Sequence, residues 1–71
     1  MGMIKNIKIT TEYITLAQFL KLADLINSGG EAKIFLATHD VFINDELDVR
    51  RGRKLYLDDV VVIEGKSYKI C

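Results

Sequence analysis

Hydrophobic and polar positions alternate along Ile4-Lys5-Asn6-Ile7-Lys8-Ile9-Thr10, with Ile7 and Ile9 on one side and Lys8 and Thr10 on the other. A period of two predicts a short strand. The period then lengthens. Leu16, Phe19, Leu20, Ala23 and Ile26 recur at helical spacing, and Gln18, Lys21 and Asp24 fall opposite them, which predicts a helix with one buried stripe. Thr15-Leu16-Ala17-Gln18 has the form of a capping box, in which the hydroxyl and the amide each cover a free backbone donor. Gly29-Gly30 places the end of that helix at Asn27. Ser28-Gly29-Gly30-Glu31 has the form of a second capping box, opening a helix from about Gly29 to Thr38 with Ala32, Phe35 and Leu36 on one face. Two helices with almost no linker must form a sharp corner.

Beyond residue 40 the pattern is β. Val41-Phe42-Ile43 reads as a short strand and Asn44-Asp45 as a hairpin turn, since both residues tolerate positive φ. Leu47 and Val49 continue the returning strand, and residues 50–54 form a polar loop around Gly52. A turn at Leu57-Asp58-Asp59 leads into the strand Val60-Val61-Val62-Ile63-Glu64. Gly65-Lys66 turns again before Ser67-Tyr68-Lys69-Ile70. The predicted order is β-α-α-β-β-β-β, an α+β layout with a two-helix corner packed on a small, mostly antiparallel sheet.

Composition narrows the function classes. The 71 residues are 49% apolar, enough for the core of one small domain, here taken as residues 1–71. No apolar run approaches the roughly 20 residues of a membrane helix, and the N-terminus lacks the apolar stretch of a secretory signal. A lone cysteine, Cys71, excludes an internal disulfide framework and fits a reducing cytoplasm. Met1-Gly2 does not open a myristoylation signal, because Asn6 stands where Ser or Thr is needed; it is compatible with a cloning remnant. One His and one Cys do not build a four-ligand zinc site, so neither a metal nor another cofactor is expected.

The net charge is zero, from ten basic and ten acidic side chains, which argues against a generally basic nucleic-acid coat. Its distribution is uneven. Asp40, Asp45, Glu46 and Asp48 are followed by Arg50, Arg51, Arg53 and Lys54, and then by Asp58, Asp59 and Glu64. One dense cationic knot in a neutral chain reads as a focused anion site.

Leu16, Phe19-Leu20-Lys21, then Ser28-Gly29-Gly30-Glu31-Ala32-Lys33, then Val41-Phe42-Ile43-Asn44, then Arg50-Arg51-Gly52-Arg53-Lys54-Leu55 and Asp59-Val60-Val61 together resemble the S-four-type (alpha-L) RNA-binding domain, and within it the short stand-alone bacterial members. The resemblance runs over residues 15–63. Asp45 and Asp58 replace the glycines usual at those two turns, and Gly29 replaces an arginine common after the capping serine. The resemblance implies a small cytoplasmic RNA-binding protein that docks structured RNA, ribosomal or transfer, and a possible protein partner on the ribosome. Fused relatives suggest, alternatively, a trans-acting accessory of an RNA-modifying enzyme.

Three groups are candidates for phosphate contact. Ser28, Gly29 and Gly30 open the second helix, whose free N–H groups favour an anion, although Glu31 opposes one. Arg50, Arg51, Arg53 and Lys54 present donor forks matched to phosphate, and Arg also stacks on unpaired bases. Against this, the stretch from Asp45 to Asp48 can pair with them across the hairpin, although its acids are too few to neutralise all four. Lys21 and Lys33, on the polar sides of the helices, contribute only if the corner brings them beside the loop. Gln18 and Asn27 are candidates for further hydrogen bonds, and Tyr56 for stacking on a base; Phe19 and Phe35 read as core. No catalytic residue is expected. A pairing of His39 with Cys71 lacks a third orienting group, and Asp58-Asp59 is explained by a turn. A protein-interaction module, built on the adjacent acidic and basic segments, is the rival expectation.

Overall fold

The computed structural model describes residues 4–71; Met1-Gly2, the suggested cloning remnant, lies outside them. Strand β1 (Ile4–Ile7) is followed by β2 (Tyr13–Thr15), helix α1 (Leu16–Leu22), helix α2 (Glu31–Thr38), β3 (Val41–Ile43), β4 (Glu46–Leu47), β5 (Lys54–Tyr56), β6 (Val60–Ile63) and β7 (Lys66–Ile70). Five strands form one sheet in the order β1-β7-β6-β3-β4, and β2 pairs with β5 in a separate ribbon. Only β1 with β7 is parallel; β7 with β6, β6 with β3, β3 with β4 and β2 with β5 are antiparallel. The expected α+β fold with a mostly antiparallel sheet is present.

Residues expected to be apolar and periodic build the core. Leu16, Phe19, Leu20, Ala32 and Leu36 from the helices pack with Val41, Ile43, Val61, Ile63, Tyr68 and Ile70 from one face of the sheet. Phe19 meets Tyr68 edge to face, with ring centroids 5.3 Å apart. Ile14 and Leu55, the paired central residues of the β2–β5 ribbon, join the same core.

The Thr15 capping box forms as expected: the Gln18 N–H donates to Thr15 Oγ1 at 3.2 Å, and the Thr15 N–H donates to Gln18 Oε1 at 2.8 Å. α1 nevertheless stops at Leu22, five residues before the expected end. Asp24 adopts φ 60°. Its N–H donates to the Lys21 carbonyl, and the Leu25 N–H to the Leu20 carbonyl, which is the Schellman arrangement with Asp in glycine's usual place. Ile26 is buried outside the helix, so its fit to the helical spacing was accidental.

The second capping box does not form. Gly30, not Ser28, is the N-cap of α2, and no side chain caps it. Main-chain bonds take over instead: the Ser28 carbonyl accepts from Glu31 and the Gly29 carbonyl from Ala32. The Glu31 carboxylate reaches back to the Asn27 N–H at 3.4 Å. A linker of residues 23–30 therefore replaces the direct corner.

Both β-hairpin turns follow from local chemistry. Asn44 and Asp45 have φ 51° and 71°, and Glu64 and Gly65 have φ 52° and 77°, the primed two-residue loops that suit strand twist. Asn44 also ties two turns together. Its side chain donates to Asp59 Oδ1 at 3.1 Å and accepts from the Val60 N–H at 3.0 Å, while Asp59 Oδ2 accepts from the Tyr56 N–H at 2.8 Å. Asp59 thus holds a turn. Cys71, whose side chain is exposed, continues the β1–β7 ladder: its N–H donates to Ile7 and its carbonyl accepts from Ile9.

Candidate nucleic-acid interface

The expected polar loop over residues 50–54 is a short structured segment. Val49 lies outside β4, and Lys54 already belongs to β5, which the alternation of exposed Lys54, buried Leu55 and exposed Tyr56 explains. The segment is fixed to the start of α1 by two main-chain bonds, Leu16 N–H to the Arg53 carbonyl at 2.8 Å and Ala17 N–H to the Arg51 carbonyl at 3.0 Å. These use two of the four orphan donors of a helix N-terminus, so helix and loop are docked through groups that each would otherwise leave unpaired.

Asp48 organises the arginines. Its side chain is only 9% exposed. The Arg50 guanidinium donates to it through Nε at 3.0 Å and Nη2 at 2.7 Å, and Arg53 through Nη1 at 2.8 Å. The side-chain hydrogen bonds from Arg50, with further help from the Arg50 N–H and from Arg53, hold the Asp48 carboxyl well below the usual carboxylate range, against the opposing effect of burial. The same contact raises the pKa of the exposed Arg50. The expected pairing of the acidic stretch with the arginines is therefore real, and it is confined to Asp48. Arg51 and Lys54 have no carboxylate within ion-pair distance among the described residues. One carboxylate against four cations leaves this segment about +3. Each guanidinium carries five N–H donors. Arg50 and Arg53 each spend two, the second from Arg53 being a long 3.4 Å bond to the Lys54 carbonyl. Six remain between them.

The β2–β5 ribbon sets beside Tyr56, the expected stacking candidate, a second ring, Tyr13, that the sequence reading did not include. Tyr13 lies opposite Tyr56 in register, the ring centroids are 5.7 Å apart and tilted at 46°, and Lys54 Nζ lies 4.9 Å from the Tyr13 centroid. Tyr13 escaped notice because three residues are too short a run to announce a strand. The alternation of Tyr13, Ile14 and Thr15 was the available signal.

The remaining candidates make no direct polar contact with the loop among the described residues. Lys21 lines, with Lys8, Thr10, Ile14 and Gln18, a groove of about 510 Å³ that includes no residue of 50–54. Ser28, Gly29, Gly30 and Lys33 are exposed, and no side-chain hydrogen bond or ion pair joins them to the loop among the described residues. A Cβ at Gly29 or Gly30 would meet nothing, and neither has positive φ, so local sterics do not demand glycine at either position. His39 stacks on Phe35 at 4.0 Å, and its Nε2 lies 2.7 Å from Glu64 Oε1. Among the described residues, no group of three or more His, Cys, Asp or Glu side chains is placed to hold a metal, and no helix is long and apolar enough to cross a membrane.

The sequence model of one family, described as the S4 domain, matches residues 7–71, nearly the whole chain. The chain belongs to the S4 domain family. The S4 match agrees with the resemblance read over residues 15–63 and extends it from Ile7, the last residue of β1, through β7. The chain is also similar to the probable ribosome maturation protein RlbA of Bacillus subtilis (strain 168), at 67% identity over 63 residues that cover 89% of each chain. The S4 fold here places the Asn44–Asp59 bonds on two of the motif positions that carried the resemblance, which explains those residues by structure alone.

Proposed function

We propose that this S4 domain protein binds structured ribosomal RNA in the cytoplasm, in ribosome maturation, as a single domain without performing a reaction itself. The observation that carries the reading is the segment of residues 48–54: about +3, docked on the start of α1, with two guanidiniums held by a shared carboxylate and six of their donors still free. Phosphate and shape contacts would dominate, with few base-specific bonds. The likeness to a relative named for ribosome maturation supports the choice of RNA.

The test is binding to ribosomal RNA fragments as salt is varied. If about four cations meet phosphates, log affinity falls against log salt with a slope near −3. Replacing Arg50, Arg51, Arg53 and Lys54 by glutamine removes most of that slope. Unchanged affinity in that variant rejects the site.

One observation favours a second reading, docking to a protein on the ribosome. The register lines up Ile4, Ser67, Val62, Phe42 and Leu47 in one row across the sheet face opposite the core, with Phe42 40% and Leu47 58% exposed. Partners retained after nuclease treatment, and lost on Phe42→Ser, would support it.

A further inference from the structure

We infer that Tyr13 and Tyr56 form a stacking site for an unpaired RNA base, with Lys54 and the neighbouring arginines taking the adjoining phosphates. The inference rests on the RNA-binding reading above and adds to it a class of ligand: nucleotides in a loop, bulge or end, not the paired stem.

In β2 and β5 the central residues Ile14 and Leu55 face the core, so their neighbours Tyr13, Thr15, Lys54 and Tyr56 must face outward. Thr15 is committed to capping α1. The other three form a continuous surface in which Tyr13 is 37% and Tyr56 45% exposed. Cross-strand packing accounts for the 5.7 Å spacing of the two rings. It does not require their remaining surface to stay open, since Ile or Thr would brace the ribbon as well.

The surroundings decide between a base and a protein side chain. On the side where β5 begins the patch meets cations: Lys54 lies over Tyr13, and β5 is the direct continuation of the segment carrying Arg50, Arg51 and Arg53, whereas Glu12 and Asp59 stand at the other end of the ribbon. An aromatic surface beside a cationic track is the pattern that holds single-stranded nucleic acid, where each base offers a π-face and each linkage a phosphate. Protein-docking cores are instead depleted in charge. The backbone bonds from Arg51 and Arg53 to α1 keep the track and the ribbon in fixed relation, so a nucleotide engaging both pays little to order them.

The experiment uses an RNA hairpin with an oligouridine loop and the same hairpin with abasic residues in the loop. Because stacking tolerates any base, the uridine loop is a sufficient probe. Wild-type protein is expected to prefer the uridine loop by about five- to a hundred-fold. Tyr56→Ala is expected to abolish that preference while leaving the abasic hairpin bound as before, and Tyr56→Phe to keep it. Circular dichroism checks the fold of each variant. Independently of any variant, a 4-thiouridine loop should crosslink to the peptide containing Tyr56 or Tyr13. Equal binding of both hairpins by wild type overturns the stacking site and leaves phosphate binding standing. Failure to bind either hairpin also overturns it; if ribosomal RNA fragments then fail too, the RNA reading itself falls. Normal RNA binding by a folded Tyr56→Ala that loses self-association in sedimentation assigns the patch to protein contact and overturns the proposal.

Discussion

Replacing Asp48 by asparagine tests whether the carboxylate masks the arginines or aims them. Masking predicts tighter RNA binding, because one negative charge is gone. A phosphate beyond the guanidiniums would sit roughly 8 Å from the carboxylate, where removing a unit charge in water is worth a factor of about two, before salt screens it further. Aiming predicts the reverse. Asp48 holds Arg50 through Nε and Nη2 and Arg53 through Nη1, at 2.7 to 3.0 Å. Released, both long side chains must be ordered anew by the RNA, at a cost of roughly two- to ten-fold in affinity each. The second effect exceeds the first, so Asp48→Asn should weaken binding by about two- to fifty-fold. The assay is fluorescence anisotropy of a labelled ribosomal RNA fragment at fixed, near-physiological salt, with urea unfolding to verify that the variant is folded at the assay temperature. Affinity that is unchanged or raised in a folded Asp48→Asn protein refutes the aiming argument and leaves Asp48 as a partial neutraliser of its own loop.

Other consequences are accessible by stability measurements. Asp48→Asn should also lower the urea stability by about 1–2 kcal/mol near neutral pH, since charge-assisted bonds to a mostly covered carboxylate are lost. The Asp48 carboxyl titrates lower folded than unfolded. Its contribution is therefore complete above the unfolded value of about 3.9 and lost as pH falls below it. The stability gap between wild type and Asp48→Asn should stay constant from about pH 8 to 5 and close on further acidification; a gap that widens in acid would contradict the sign. Asp24→Gly, at φ 60° in the Schellman turn, should raise stability by about 0.5–1 kcal/mol in the same titration. Asn44→Ala, which removes the bonds to Asp59 and to the Val60 N–H, should cost about 1–2 kcal/mol and loosen both turns, visible as faster amide exchange at Val60.

What was legible in the sequence was whatever a local rule decides unaided. The Thr15 capping box, the Asn44-Asp45 turn and the first part of the buried stripe, Leu16, Phe19 and Leu20, depend on residues at most four apart, and each appears as read. The failures share a cause: a main-chain group found a partner that spacing does not reveal. Ser28 is not a cap because carbonyls of the preceding turn bond Glu31 and Ala32 first. α1 ends early because Asp24 takes the left-handed conformation and its N–H and that of Leu25 bond back into the helix, ahead of the Gly29-Gly30 pair that marks the expected end. β2 and β5 were missed because a three-residue strand has almost no periodicity of its own; each exists through the other, in the register Tyr13 to Tyr56 and Thr15 to Lys54. The same pairing hid half of the candidate site. The charge knot was plain in the sequence, but the aromatic surface beside it arises only when residues 13 and 56 meet.

Arg51 and Arg53 reach α1 through their carbonyls, whereas their side chains take no part in that docking. The side chains can therefore change without undoing the attachment, and the segment should keep its place when its charges are replaced. The attachment in turn depends on α1 starting at Leu16, which the Thr15 capping box enforces, and on β5 pairing with β2, in which Thr15 is the last residue. Thr15 is thus the point at which strand pairing, helix initiation and loop position coincide. A change at Thr15 should disturb the placement of the cationic segment more than the loss of any one of its charges, although Thr15 itself carries none.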